Sequence, residues 1–332
     1  MNRILEFLPV PAVALAMLLY LPVSVHAQAS SGSGSNDATD ALNSDSNQET
    51  GQGSRPTIAA RLGAGFRYDF AASLDGGGKM ARASVNSSLD VEWNINDQMS
   101  LAFRGDGEID FYDFSGPTTL LAGGDPWDRV QQTGFRAVFR YKLDRWTFSG
   151  GGIMQMGWEE DADIGKSITW GGSAGFSYTF SDTLVLGFAL AITSRIEDDA
   201  LFVPIPMIDW RFADKWRIST MAGPAAIPTS GGELIYSITP EIDLALGARW
   251  EYRRFRLNDS GPIARRDGVG TVQGIPVWFR MMWRPCKLLR LDGVVGLNAW
   301  QKVTLENSGG GLINDTDADP SPFVAAYLTL TF

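Results

Sequence analysis

The chain has 332 residues, a formal net charge of -10, one cysteine and one histidine. That length suits a single large all-β domain. An acidic balance excludes the basic footprint that nucleic-acid binding needs. One cysteine excludes an intramolecular disulfide, and beyond the N-terminus no apolar run approaches the roughly 20 residues of a spanning helix.

Residues 1–27 carry Arg3, an apolar stretch from Val10 to Val25, and Val25-His26-Ala27 before Gln28. This positive, apolar, small-x-small order is that of a cleaved secretory signal; Pro9, Pro11 and Pro22 weigh against a retained anchor. Cleavage would remove His26, and with it Ser-His and Cys-His nucleophiles and histidine-ligated metals. Residues 28–56 are almost wholly polar and cannot bury enough surface to offset their ordering entropy, which predicts a disordered linker.

From residue 57 to 332 the hydrophobic period is two. Ile58, Leu62, Phe66, Tyr68 and Phe70 alternate with Arg61, Arg67 and Asp69. Leu101, Phe103, Ile109 and Phe111 face away from Arg104, Asp106, Glu108 and Asp110. Phe135, Phe139 and Tyr141 oppose Arg136, Arg140 and Lys142. Over 242–253, Leu244, Leu246, Trp250 and Tyr252 oppose Asp243, Arg249, Glu251 and Arg253; over 276–284, Val277, Phe279, Met281 and Trp283 oppose Arg280 and Arg284. With the remaining candidates (80–93, 145–157, 167–180, 184–196, 200–212, 216–226, 232–239, 288–302 and 321–332) there are about fourteen strands of the ~9–11 residues that cross a bilayer at a tilt. A soluble sandwich alternates as well, so the connections decide.

Short turns at 94–97, 144–145, 181–183, 213–215, 239–241 and 285–287 alternate with mostly longer connections at 71–79, 115–128, 157–166, 197–199, 227–231, 257–270 and 303–320. An aromatic residue stands beside most short turns: Trp93, Trp146, Phe180, Phe212, Trp216 and Trp283, with Phe332 at the same level. Short turns on one rim and a recurring aromatic girdle predict an all-β transmembrane barrel, antiparallel and up-and-down, with both termini on the short-turn side. Pro204, Pro206, Pro224 and Pro228 make 200–228 irregular, marking bulges, bends or a local opening, and leave twelve strands as the alternative.

At the C-terminus, Val324, Ala326, Leu328, Leu330 and Phe332 form one apolar face, and the chain stops on an aromatic residue. This strand resembles the C-terminal signal strand of Gram-negative outer-membrane barrels. The resemblance implies an outer-membrane address, contact with the barrel-assembly machinery and surrounding lipid, and a periplasmic N-terminal tail. The run from Pro204 through Trp210 to Trp216, with Gly223-Pro224, Ile235-Tyr236 and Trp283-Arg284-Pro285, resembles a motif of uncharacterised outer-membrane barrels, covering roughly the C-terminal half. That likeness implies a porin-like architecture and carries no catalytic residue.

The strand parity points Arg61, Arg104, Asp106, Glu108, Arg136, Arg140, Arg249, Glu251 and Arg280 into the barrel. They are either cross-strand ion pairs filling a wet interior or the two walls of a transverse field that orients polar solutes. Asp315, Asp317 and Asp319 have a calcium-like spacing without the glycine and glutamate that complete such a loop; a solvated acidic loop is the plainer reading. Cys286 has no histidine to activate it. No cofactor is implied. The expected function is a charge-lined route for small polar solutes; the rivals are a structural or surface-interaction barrel and, from another class, a barrel enzyme.

Overall fold

The computed structural model describes residues 56–332 except 119, 122–124 and 221–230. The signal segment and all but the last residue of the linker thus lie outside the described residues, as do Pro224 and Pro228 and most of the 227–231 connection. The strands are β1 (Thr57–Ser73), β2 (Lys79–Asn94), β3 (Met99–Ser115), β4 (Arg129–Leu143), β5 (Trp146–Glu159), β6 (Ile168–Ser181), β7 (Leu184–Arg195) and β8 (Asp198–Ala213). They continue with β9 (Trp216–Ser219), β10 (Gly231–Thr239), β11 (Ile242–Arg249), β12 (Glu251–Arg256), β13 (Val269–Cys286), β14 (Leu289–Glu306), β15 (Leu312–Ala318) and β16 (Ser321–Thr331).

These segments build a closed antiparallel barrel of 14 strands. β11 and β12 are successive parts of one strand against β13, and β15 and β16 are successive parts of one strand against β14. The ring closes where β1 pairs with β16, from Arg61↔Thr331 to Asp69↔Phe323.

The period of two sets the two faces. Along β13, Val277, Phe279, Met281 and Trp283 point out, while Trp278, Arg280 and Met282 are at most 5% exposed. Phe66, Val85, Phe103, Phe135, Phe188 and Val295 extend the exposed apolar band around the barrel. At the short-turn rim Trp93, Trp146, Phe180, Phe212, Trp216, Trp283 and Phe332 are all exposed, and Tyr178 packs edge-on against both Trp146 and Phe180 at 4.7 Å between ring centres.

Several strands outgrow the sequence-based expectation. β13 and β14 have 18 residues each, well beyond the ~9–11 that cross a bilayer. The surplus lies toward the long connections. The 303–320 segment, expected as a loop, is a ribbon in which β15 pairs with β14 from Gln301↔Ala318 to Glu306↔Leu312. The 197–199 connection narrows to a turn at Ile196-Glu197, with Glu197 at φ 51°. β8 runs unbroken through Pro204 and Pro206; β9 joins it only from Asp209 to Ala213, so neither proline is asked to donate to that ladder. Thr220 extends the ladder by one step, its hydroxyl accepting from the Ile208 N–H at 2.9 Å and donating to the Pro206 carbonyl at 2.7 Å.

One expectation fails in an informative way. The strand foreseen over 242–253 breaks at Trp250, and neither Trp250 nor Tyr252 faces lipid. Beyond the break β12 leaves β10, keeps its pairing with β13, and reaches β5 on the opposite wall through a parallel bridge at Arg256↔Trp158. A Cβ on Gly157 would lie 2.7 Å from the Arg254 carbonyl oxygen, so glycine there permits the approach. At the long-connection end a smaller ring therefore closes through β12, β13, β14, β15 and β1–β5, with a bridge from Ala318 of β15 to Leu74 just after β1, leaving β6–β10 outside it.

Candidate functional site

The site is β12 and what it touches. Glu251-Tyr-Arg-Arg-Phe-Arg256 has arginine on both faces, so neither face suits lipid, where a midplane arginine costs roughly 2–4 kcal/mol. Inside the barrel each arginine finds an acid. Arg253 reaches Glu251 at 2.9 Å and, on β3 across the bore, Glu108 at 3.1 Å and Asp110 at 3.7 Å. Arg254 grips Glu306 with two nitrogens and donates to the Ile196 carbonyl at 2.8 Å. Arg256 pairs with Glu197 in the β7–β8 turn.

Glu251 is the centre of the larger network. It receives Arg67 from β1 at 2.9 Å, Arg253 at 2.9 Å and the Arg249 Nε at 2.8 Å. Arg67 also donates to Asp69 and Asn298, and Asp69 in turn accepts from Arg82 at 2.7 Å. The four guanidiniums of Arg67, Arg82, Arg249 and Arg253 face the four carboxylates of Asp69, Glu108, Asp110 and Glu251, so the cluster is neutral. Burial of so many charges is tolerable because each is matched; removal of one partner strands the others.

Above this layer, toward the long connections, the interior is dry. Leu120, Leu121 and Trp127, from the connection between β3 and β4, turn inward and are at most 5% exposed. Trp127 stands edge-on to Phe255 at 5.1 Å, Phe114 at 5.5 Å and Tyr112 at 5.8 Å. Met80, Leu257, Val272, Val303 and Leu305 complete the cluster, which fills the smaller ring. Sequence reasoning placed a loop here and missed that its apolar residues dive inside; the cue was a tryptophan and two leucines in a connection with no lipid to meet.

The expected lining residues divide into three groups. Arg249, Glu251 and Glu108 belong to the central network. Arg280, fully buried, holds Glu233 and, at 3.0 Å, Asp292; the Trp278 Nε1 donates to the same Glu233 at 2.7 Å. The rest stand on the β1–β4 wall and keep partial exposure. Arg104 pairs with Asp90 at 3.1 Å and Asp106 at 3.6 Å, and Arg140 pairs with Glu92 at 2.8 Å. Arg136 lies directly opposite Arg104 in the β3–β4 register and, among the described residues, forms no ion pair; its Nε is buried without a partner. Arg61 lies opposite Asp90 in the β1–β2 register. The acidic trio does not converge: Asp315 and Asp317 alternate along the extended β15, Asp319 follows it, and Lys302 holds Asp315. Cys286 is exposed at the end of β13.

On the far side of β12 lies a recess of ≈ 100 Å³ between Trp250, Tyr252 and Arg254 and the wall formed by β4–β8. Trp250, with Leu201 and Ile205 of β8, packs against a buried cluster of Ile153, Ala191 and Val203. β12 is thus a partition: a filled ring on one face, a partly open recess on the other.

No family model matches the chain, and no curated protein matches it in sequence. Among solved structures, an outer-membrane channel from Pseudomonas putida F1 covers 84% of this chain and 96% of its own, at 9% identity and a TM-score of 0.45. A FadL homologue from Pseudomonas aeruginosa covers 83% of this chain and 90% of its own at 11% identity and a TM-score of 0.44. The KdgM porin covers 81% of this chain and 99% of its own at 8% identity and a TM-score of 0.32. No residue role or solute passes from these proteins to this chain.

Proposed function

We propose that the chain is an outer-membrane barrel carrying small polar solutes through a constricted route, not a wide diffusion pore. An exposed apolar band ending in an aromatic rim supports the membrane setting, and a charged interior supports a polar route. The observation that carries the constriction is β12 crossing the bore, pinned to β1, β3, β5 and the β7–β8 turn by its own ion pairs. The N-terminal tail would lie on the periplasmic side with the short turns, and the C-terminal strand ending at Phe332 would serve the assembly machinery.

Planar-bilayer recording of the refolded protein tests this reading. Wild type should give small current steps, and an Arg253→Gln/Arg254→Gln variant, with β12 partly released, should give larger ones. Large unselective steps from wild type would contradict the constriction. The filled interior itself favours a second reading, a barrel without transport; silent bilayers for both proteins, with an intact heat-modifiable barrel, would leave that one standing.

A further inference from the structure

The recess beside β12 has an unusual lining. Gln132 comes from β4, Gln155 from β5, Thr193 from β7, and Trp250 and Tyr252 from the break and start of β12. Among the described residues none of these five side chains makes a hydrogen bond, and the Gln132 Nε2 is buried without a partner. Buried polar groups are ordinarily paired, so the buried Gln132 amide, beside the half-buried Gln155 and Thr193 at one hollow, awaits either water or a ligand.

The arginines at the rim are, by contrast, already paired. Arg254 is held by Glu306 and Arg195 by Asp198 at 2.8 Å, while Asp106 stands 3.6 Å from Arg104, beyond hydrogen-bonding distance. An anion entering would have to displace a carboxylate already held by Arg254 or Arg195, whereas a neutral molecule would not. The indole of Trp250 and the phenol of Tyr252 stand 5.4 Å apart and tilted by 31°, adjoining an apolar floor of Leu201 and Val203. Flat aromatic and apolar surface on one side and amides and hydroxyls on the other complement a ring with C–H faces and hydroxyl edges. The hollow of ≈ 100 Å³ has room for several ordered waters at ~10–15 Å³ each, solvent that one such ring would displace.

We propose that this recess is a binding site for a neutral polyhydroxylated ring, a single sugar unit, stacked on Trp250 and hydrogen-bonded through Gln132, Gln155 and Thr193. The assignment deepens the transport reading above and rests on it for its role as a solute station, but binding is measured without transport. Full-length refolded protein is titrated with glucose, maltose and sucrose, and in parallel with galacturonate and benzene, by tryptophan fluorescence and calorimetry. Neutral saccharides should bind saturably. Trp250→Phe and, independently, Gln132→Ala/Gln155→Ala should each weaken binding by about tenfold or more, with heat modifiability retained. Saturable binding of galacturonate or benzene in preference, no saturable binding of any saccharide, or binding unchanged in both folded variants would overturn the site. Loss of the site with conductance intact would leave the channel standing; saccharide binding with silent bilayers would keep the site and remove transport.

Discussion

Glu251 shows what a single residue carries in this barrel. Its carboxylate takes three guanidiniums, those of Arg67, Arg249 and Arg253, from two walls and from β12 itself. Glu251→Ala should destabilise the refolded protein by about 3–5 kcal/mol, read from urea unfolding of the protein in detergent; a loss below about 1 kcal/mol would mean that water already reaches these groups. On the β4 wall the two arginines should part company. Arg140 is compensated by Glu92 at 2.8 Å, whereas Arg136 has no acid in contact among the described residues. Arg136→Gln should therefore shift ion selectivity toward cations more than Arg140→Gln, measured as reversal potentials under a salt gradient, and equal shifts would contradict this ordering. Residue parity was legible in the sequence, since alternation alone turns Arg67, Asp69 and Arg280 inward. Their partners were not: Arg67 and Glu251 are 184 positions apart, and nothing local links them.

At the scale of elements, β12 departs from the pattern of every lipid-facing strand. After Tyr252 the alternation stops and arginine occupies both faces, a signal that the strand has left the membrane wall. The sequence reading carried the strand on to 253 because Trp250 and Tyr252 kept the aromatic period; they keep it facing the recess, not lipid. Gly157→Val should push β12 from β5, since even a Cβ would meet the Arg254 carbonyl, and bilayer conductance should rise. Unchanged conductance would separate the β5 contact from the constriction. The inserted connection makes a second test. Trp127→Ala should cost about 3–5 kcal/mol by opening a cavity among Phe114, Tyr112 and Phe255. Limited proteolysis should then cut near 116–128 in a folded barrel; resistance equal to wild type would mean that the connection is held by something other than its tryptophan.

For the whole molecule, the apolar residues are used twice. One set forms the outward band from Phe66 to Val295, and the other fills the long-connection end around Trp127. Closure, strand number and the outward face follow from alternation and turn spacing, which is why the barrel could be read from the chain. The dry plug could not, because inward apolar residues at strand ends have the same parity as charged ones and differ only in depth. Between plug and recess stands β12, and its position decides how narrow the bore is. The direct measurement is a cross-link in outer membranes from cells expressing a Trp158→Cys/Arg256→Cys variant in a Cys286→Ser background, using a short bis-maleimide. The bridge between these two positions predicts efficient cross-linking in the resting protein, with little change in conductance afterward. Failure to cross-link, with both introduced thiols open to a bulky maleimide, would contradict the crossing strand and the constriction that rests on it.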